Sequence, residues 1–152
     1  MLIHLEKQKL TLGQLISRNI NENISEDEKK VIKVITTWQD NTPYFDLTTS
    51  GSTGQPSAIQ LYREQLMYSA QSSLSFLDPS NSFSSSLLCI NPDFIGGLMV
   101  IIRSLIQEMD LTVIPASSSF KQLPKGITFD LTSMVPLQLQ SLIDQQPDKL
   151  NQ

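Results

Sequence analysis

The sequence predicts an α/β domain in which a largely parallel sheet is flanked by helices. Two observations support this fold class. From residue 44 onward, strand-like and helix-like segments alternate, an order typical of parallel strands joined by crossover helices. The segment Leu87–Ile90 is apolar at every position, which is typical of a central strand buried on both faces. The 152 residues fit one domain, and no internal repeat or linker divides them.

Residues 1–41 are predicted to form a helical lead-in. Thr11 and Gln14 have the spacing of a capping box, and Ser25 and Glu28 repeat that signal ahead of a second helix. This second helix is expected to end before Pro43. It carries one apolar stripe, with Trp38 as a packing anchor: Val31, Val34, Ile35 and Trp38.

Residues 44–152 are predicted to form the α/β unit. The expected strands are 44–49, 58–62, 86–90, 111–114 and 128–131. One helix follows residue 62, a second covers 95–109, and a third begins near Pro136, a residue suited to a first helical position. The first of these helices is expected to turn four apolar side chains inward: Leu66, Ala70, Leu74 and Leu77.

Charge and composition exclude several classes of function. The net charge of −4 and a pI of about 4.8 argue against a broad cationic surface for nucleic acid or an anionic membrane. A single cysteine, Cys89, and a single histidine, His4, exclude a disulfide framework and multi-cysteine metal sites, and they give no Ser–His triad. The apolar run Ile95–Ile106 is too short to span a bilayer. We therefore expect a cytoplasmic protein with no catalytic triad and no protein-bound metal.

One loop concentrates groups that can bind an anion. Thr49-Ser50-Gly51-Ser52-Thr53-Gly54 places four hydroxyls and two glycines between two predicted strands. Glycines allow backbone N–H groups to approach a phosphate closely, and hydroxyls add uncharged donors. The loop is not a Walker A motif, because Gln55-Pro56 follows where that motif has Lys and Ser or Thr. From composition alone, it is either a flexible turn or a phosphate-binding loop.

Three strings resemble motifs of the adenylate-forming superfamily, which includes acyl-CoA synthetases, peptide-synthetase adenylation domains and luciferase. Residues 45–56, Phe-Asp-Leu-Thr-Thr-Ser-Gly-Ser-Thr-Gly-Gln-Pro, resemble its phosphate-binding signature. Residues 88–98 are similar to its Pro-x-Phe-x-x-Gly-Gly segment, and residues 129–139 to its Val-Pro strand-to-helix step. Within the superfamily, the short lead-in and the form of the loop look most like the o-succinylbenzoate–CoA ligases of menaquinone synthesis.

The resemblance implies a fold, a reaction and a set of ligands. The chain would be the N-terminal part of the large domain of such an enzyme. In the family's reaction, a carboxylate attacks the α-phosphorus of ATP to give acyl-AMP and pyrophosphate, and coenzyme A then displaces AMP. The implied ligands are ATP with Mg²⁺, coenzyme A as co-substrate and a small carboxylate.

Site residues are carried over from the family motifs by position. The β- and γ-phosphates of ATP would be held by Thr49, Ser50, Gly51, Ser52, Thr53 and Gly54. Phe94, Gly96 and Gly97 would border the acyl pocket, although a strand-to-helix turn with a packed phenylalanine explains them equally well. Arg103 could meet an anionic substrate or could simply lie on a helix surface.

The chain departs from the family pattern in three ways. Ser57 stands where a lysine usually follows the loop proline, and Ile95 stands at or near a frequent histidine. The family's later motifs, including those for ribose and the catalytic lysine, do not occur before Gln152. We therefore expect an N-terminal portion of a ligase that is inactive alone, or alternatively a non-catalytic module that binds a partner or binds nucleotide weakly.

The predicted helix 95–109 is apolar almost all round. A layer on one side would leave part of it uncovered, so we expect this face to support a homodimer or association with the missing C-terminal portion.

Overall fold

The structure is a computed structural model that describes residues 1–17, 24–49, 57–117, 123 and 126–145, with the backbone alone at 48, 49, 57 and 145. Its strands are β1 (Leu2–His4), β2 (Lys9–Thr11), β3 (Tyr44–Thr49), β4 (Ser57–Tyr62), β5 (Ser85–Leu88), β6 (Asp110–Val113) and β7 (Leu131–Ser133). Its helices are α1 (Leu12–Ile16), α2 (Glu26–Gln39), α3 (Arg63–Leu77), α4 (Ile95–Ile106) and α5 (Pro136–Gln145).

The main sheet has five strands in the order β2-β1-β6-β5-β7. The β1–β6, β6–β5 and β5–β7 pairs are parallel, and only the edge pair β1–β2 is antiparallel. Strands β3 and β4 form a separate antiparallel hairpin. The predicted fold class, a largely parallel sheet flanked by helices, is therefore confirmed.

Helices cover the main sheet on both faces at β5. Leu88 packs in one core cluster with Val100 and Ile101 of α4. Leu87 and Cys89, which alternate with Leu88, pack in another cluster with Leu142 of α5. This arrangement confirms burial on both faces for Leu87, Leu88 and Cys89, but the strand ends at Leu88, and Ile90 lies beyond it and is half-buried.

Both predicted capping boxes are present. The Thr11 hydroxyl accepts from the Gln14 N–H, and the Ser25 hydroxyl accepts from the Glu28 N–H. The Glu28 carboxylate accepts the N–H groups of Ser25 and of Glu6, which lies in the β1–β2 turn. Burial alone would raise the pKa of this carboxyl, but the hydrogen bonds from Ser25 and Glu6 outweigh burial and lower it. Glu28 thus joins α2 to the edge of the sheet.

Helix α4 does not present the uncovered face that its composition predicted. Seven of its twelve residues are buried: Gly97, Leu98, Met99, Val100, Ile101, Ile102 and Ser104. The sheet lies on one side, and α2 and α3 pack on the others, so two further helices supply the cover. The expectation about this face is wrong, and association as a homodimer or with a C-terminal portion stays a prediction without that support.

Three further differences concern short or terminal elements. Residues 1–41 contain two strands of the main sheet in addition to the two predicted helices. The strand predicted at 128–131 lies at Leu131–Ser133, where it pairs with β5. Leu77 is 50% exposed because it is in the last turn of α3, beyond the buried Leu74. A strand of three residues is shorter than two periods of alternation, so the sequence pattern cannot locate it. Its position is set by the strand with which it pairs.

Candidate functional site

The candidate phosphate loop connects the two strands of the β3–β4 hairpin. Thr49 and Ser57, which flank it, are register partners, so the two ends of the loop lie beside each other. Thr49 is described through its backbone at the end of β3. The other predicted phosphate-binding residues, Ser50, Gly51, Ser52, Thr53 and Gly54, lie outside the described residues.

The hairpin has a firmly packed base. Phe45 and Leu47 of β3 are buried in one cluster with Leu98 and Ile102 of α4. The ring of Trp38, at the end of α2, lies 6.0 Å from the ring of Phe45 in the same cluster. Trp38 is therefore a packing anchor, as its place in the apolar stripe predicted, and the strand leading to the loop is held by two helices.

Arg63 secures the other strand of the hairpin. Its guanidinium carbon lies 3.8 Å above the centre of the Trp38 ring, and its Nη1 donates to the Trp38 carbonyl at 2.8 Å. Its backbone N–H donates to the Pro43 carbonyl just before β3, also at 2.8 Å. Burial lowers the pKa of this guanidinium. Arg63 thus ties the end of β4 to the residue before β3 through its backbone and to α2 through its side chain.

The second candidate segment is the turn between β5 and α4. Phe94 precedes α4 in an extended conformation and is 43% exposed. A Cβ on Gly97 would lie 2.7 Å from the carbonyl carbon of Asn91 and 2.8 Å from Cα of Pro92. Gly97 therefore lets α4 begin directly against the backbone of the turn. A Cβ on Gly96 would meet only Cδ1 of Ile90, at 3.0 Å.

This packing explains why Gly97 must be a glycine without assigning it a ligand. Bordering the acyl pocket stays a prediction for Phe94, Gly96 and Gly97. Arg103 lies between α4 and α3, where its Nε donates to the Ser73 hydroxyl at 2.8 Å, and burial lowers its pKa. This hydrogen bond links α4 to α3.

Gln138 is a buried residue that the sequence analysis missed. Its Nε2 donates to the carbonyls of Cys89 and Ser117 at 2.8 Å each, and its Oε1 accepts from the Val135 N–H at 3.1 Å. It thereby joins the segments that follow β5, β6 and β7 at the carboxyl edge of the parallel strands, where α/β sheets bind ligands. Val135 directly precedes α5, and Gln138 lies three residues after it, which is the spacing of a capping box. This spacing is a sequence signal that could have identified Gln138.

Cys89 and His4, for which the composition gave no catalytic role, lie in buried and partly buried surroundings respectively. Cys89 is buried, burial raises the pKa of its thiol, and Sγ donates to the Ser133 carbonyl. The His4 side chain lies on β1, and its Nε2 is buried without a hydrogen-bond partner among the described residues. Across those same residues, no group of three or more His, Cys, Asp or Glu side chains could hold a metal ion. No helix in the described ranges is long and apolar enough to cross a membrane.

The chain is similar to a solved structure of an AMP-forming enzyme. Neither a protein-family model nor a curated protein matches it. A crystal structure of an acyl-CoA synthetase (AMP-forming)/AMP-acid ligase II-like protein from Dyadobacter fermentans aligns with a TM-score of 0.73 and 28% sequence identity. The alignment covers 87% of this chain and 37% of that one. The fold of the chain therefore matches a fragment of an adenylate-forming enzyme.

Proposed function

We propose that this chain carries the ATP phosphate-binding loop of an AMP-forming acid–CoA ligase. One observation supports the proposal most strongly. A Ser/Thr/Gly loop joins two register-paired strands, Thr49 to Ser57, within a fold that matches an acyl-CoA synthetase fragment. Phe45 and Trp38 pack together at the base of the hairpin, in the strand that leads to the loop and the helix beside it.

The residue types in the loop fit a polyphosphate. Thr49, Ser50, Ser52 and Thr53 offer hydroxyl donors, and Gly51 and Gly54 allow backbone N–H groups to approach phosphate oxygens. Bound Mg²⁺ would neutralise part of the phosphate charge, and the loop hydroxyls offer oxygen atoms that such a hard cation can bind. These residues would hold the β- and γ-phosphates and orient the nucleotide.

An acid and a thiol complete the proposed reaction. A small carboxylate would react at the α-phosphate of ATP, and coenzyme A would accept the acyl group. Phe94, Gly96 and Gly97 would border the acyl pocket. Chemistry of this kind depends on positioning and charge neutralisation, and it requires no activated protein nucleophile. Within this class we propose an o-succinylbenzoate–CoA ligase of menaquinone synthesis, on the form of the loop.

A second candidate is a non-catalytic module that binds nucleotide weakly or binds a partner chain. Ser57 favours it, because the position beside Thr49 at the end of the loop carries no cation where the family usually has lysine. A missing cation lowers the affinity for a polyphosphate, since charge-assisted hydrogen bonds are roughly twice as strong as neutral ones.

A titration of the ¹⁵N-labelled chain with pyrophosphate and with MgATP tests the loop. We expect selective amide shifts from Ser50 to Gly54, with affinity on the order of millimolar, because a few hydrogen bonds must offset the entropy of association. Gly51→Val should abolish the shifts by blocking both positive φ and close approach. The matched control is Gly13→Val, since a Cβ at the exposed Gly13 would have only Thr11 Oγ1 nearby, at 4.0 Å.

Shifts that survive Gly51→Val, or that concentrate away from the loop, would contradict the assignment. Shifts lost equally in Gly13→Val would show a general effect of the substitution and would also count against it.

A further inference from the structure

A cleft of about 540 Å³ lies between α2, β3 and the turn that precedes α4. Its volume is within the range of small-molecule sites. The described residues that line it include Lys33, Val34, Phe45, Asp46, Pro92 and Leu98. The predicted acyl-pocket residues Phe94, Gly96 and Gly97 are not among these described lining residues, so a ligand bound here goes beyond the proposed function.

The floor of the cleft is apolar and closed. Phe45, Pro92 and Leu98 are buried, and Val34 is half-buried beside them. Phe45 and Leu98 belong to one core cluster, against which Val34 packs. A ligand group that rests on this floor must therefore be apolar, because the floor offers it few polar partners.

The rim carries two charges of opposite sign with no ionic partner among the described residues. Lys33 stands on the α2 wall, and Asp46 stands on the β3 wall. No ion pair joins them or engages either with another described residue, and Asp46 receives one hydrogen bond, from Nε2 of Gln60 at 3.1 Å. The other charges on the rim neutralise each other, since Lys30 Nζ lies 2.6 Å from the Asp93 carboxylate and 3.9 Å from that of Asp27.

A second cavity differs from the cleft in how its charge is used. It has a volume of about 310 Å³ and is lined in part by Asp78. The Asp78 carboxylate already accepts from the Phe83 N–H, the Ser82 hydroxyl and Nε2 of Gln107. That carboxylate is therefore occupied by the fold, whereas among the described residues Asp46 accepts a hydrogen bond only from Gln60 and Lys33 has no ion pair.

We propose that the cleft between α2 and β3 binds a small zwitterion with an apolar side chain, of the class of the apolar α-amino acids. The ligand carboxylate would face Lys33, its ammonium group would face Asp46, and its side chain would rest on Phe45 and Leu98. A monovalent anion or cation of the same shape would satisfy one wall and be repelled by the other.

L-Leucine titrated into the ¹⁵N-labelled chain is the probe. Concentrations up to about 20 mM are needed, because so small a ligand makes few contacts. We expect amide shifts at Val34, Phe45 and Asp46. Glycine, 4-methylpentanoate and 3-methylbutylamine, which lack the side chain, the ammonium group and the carboxylate respectively, should each bind about fivefold or more weakly.

Substitutions then assign the two charges. Lys33→Gln and Asp46→Asn should each weaken leucine binding about fivefold or more, and asparagine can still accept the hydrogen bond from Gln60. Lys29→Gln is the control, because Lys29 is an exposed lysine of the same helix whose partner is Glu26 and which does not line the cleft. The exchanged pair Lys33→Asp with Asp46→Lys should recover binding that each single charge reversal loses.

Three results would overturn the inference: no leucine-dependent shifts in this cleft, equal binding of leucine and 4-methylpentanoate, or unchanged binding in both Lys33→Gln and Asp46→Asn. All variants change exposed residues, and unaltered thermal unfolding would show that the fold itself is intact.

Discussion

Gly97→Ala and Gly96→Ala form a matched pair that tests how α4 is seated against the turn before it. Both glycines are in the first turn of α4, and both substitutions add one methyl group. At Gly97 the added Cβ would meet backbone atoms of Asn91 and Pro92, at 2.7 and 2.8 Å. At Gly96 it would meet the end of a flexible side chain, Cδ1 of Ile90, at 3.0 Å.

The expected free energies follow from two opposing effects. Replacing glycine by alanine in a helix stabilises by at most about 1 kcal/mol. Overpacking costs about 1–3 kcal/mol, and the upper figure applies to Gly97, because backbone cannot rotate away from the methyl group. The lower figure applies to Gly96. We therefore expect Gly97→Ala to lose about 2 kcal/mol of unfolding free energy, and Gly96→Ala to change it by about zero.

Thermal and urea unfolding of the two variants, followed by circular dichroism, measure the difference. A loss of about 2 kcal/mol corresponds to a Tm lower by about 4–8 °C in a chain of this size. If Gly97→Ala proved as stable as Gly96→Ala, α4 could shift from the turn at little cost. The close approach would then fail as the reason for the glycine.

Two further predictions concern activity and pH. These 152 residues alone should catalyse no carboxylate-dependent exchange of pyrophosphate into ATP, because the ribose and catalytic-lysine motifs of the adenylate-forming superfamily do not occur among them. Exchange above a no-enzyme blank with o-succinylbenzoate would refute this. Burial and the charge of Lys9 lower the pKa of His4 from 6.5, against an opposing effect of Asp110. As the pH falls, this histidine is therefore protonated in the unfolded chain before it is protonated in the folded chain. The contribution of His4 to stability should therefore be complete well above pH 6.5 and be lost as the pH falls through 6.5 and below. If the urea midpoint of His4→Gln fell with pH as steeply as that of the unsubstituted chain, this histidine would be excluded as the cause.

Several features of the fold were predictable because their causes are local in the chain. The capping box of Ser25 and Glu28 forms between residues three apart, and the apolar stripe ending at Trp38 repeats within a single helix. The alternation of strands and helices after residue 44 predicted the parallel sheet. The loop 49–54 is likewise a contiguous string, so phosphate binding could be proposed from its residue types alone, and it stays a prediction.

Only the tertiary structure decided how these pieces cover one another. The burial of α4 depends on α2 and α3, and the strand character of residues 2–4 depends on pairing with residues 110–113. The close approach at Gly97 and the three hydrogen bonds of Gln138 likewise join separate segments. The cleft that holds Lys33 and Asp46 has walls from α2, β3 and the turn before α4. Local patterns carry the preferences of a few neighbouring residues, whereas contacts between distant segments exist only once the chain has collapsed into one packed arrangement.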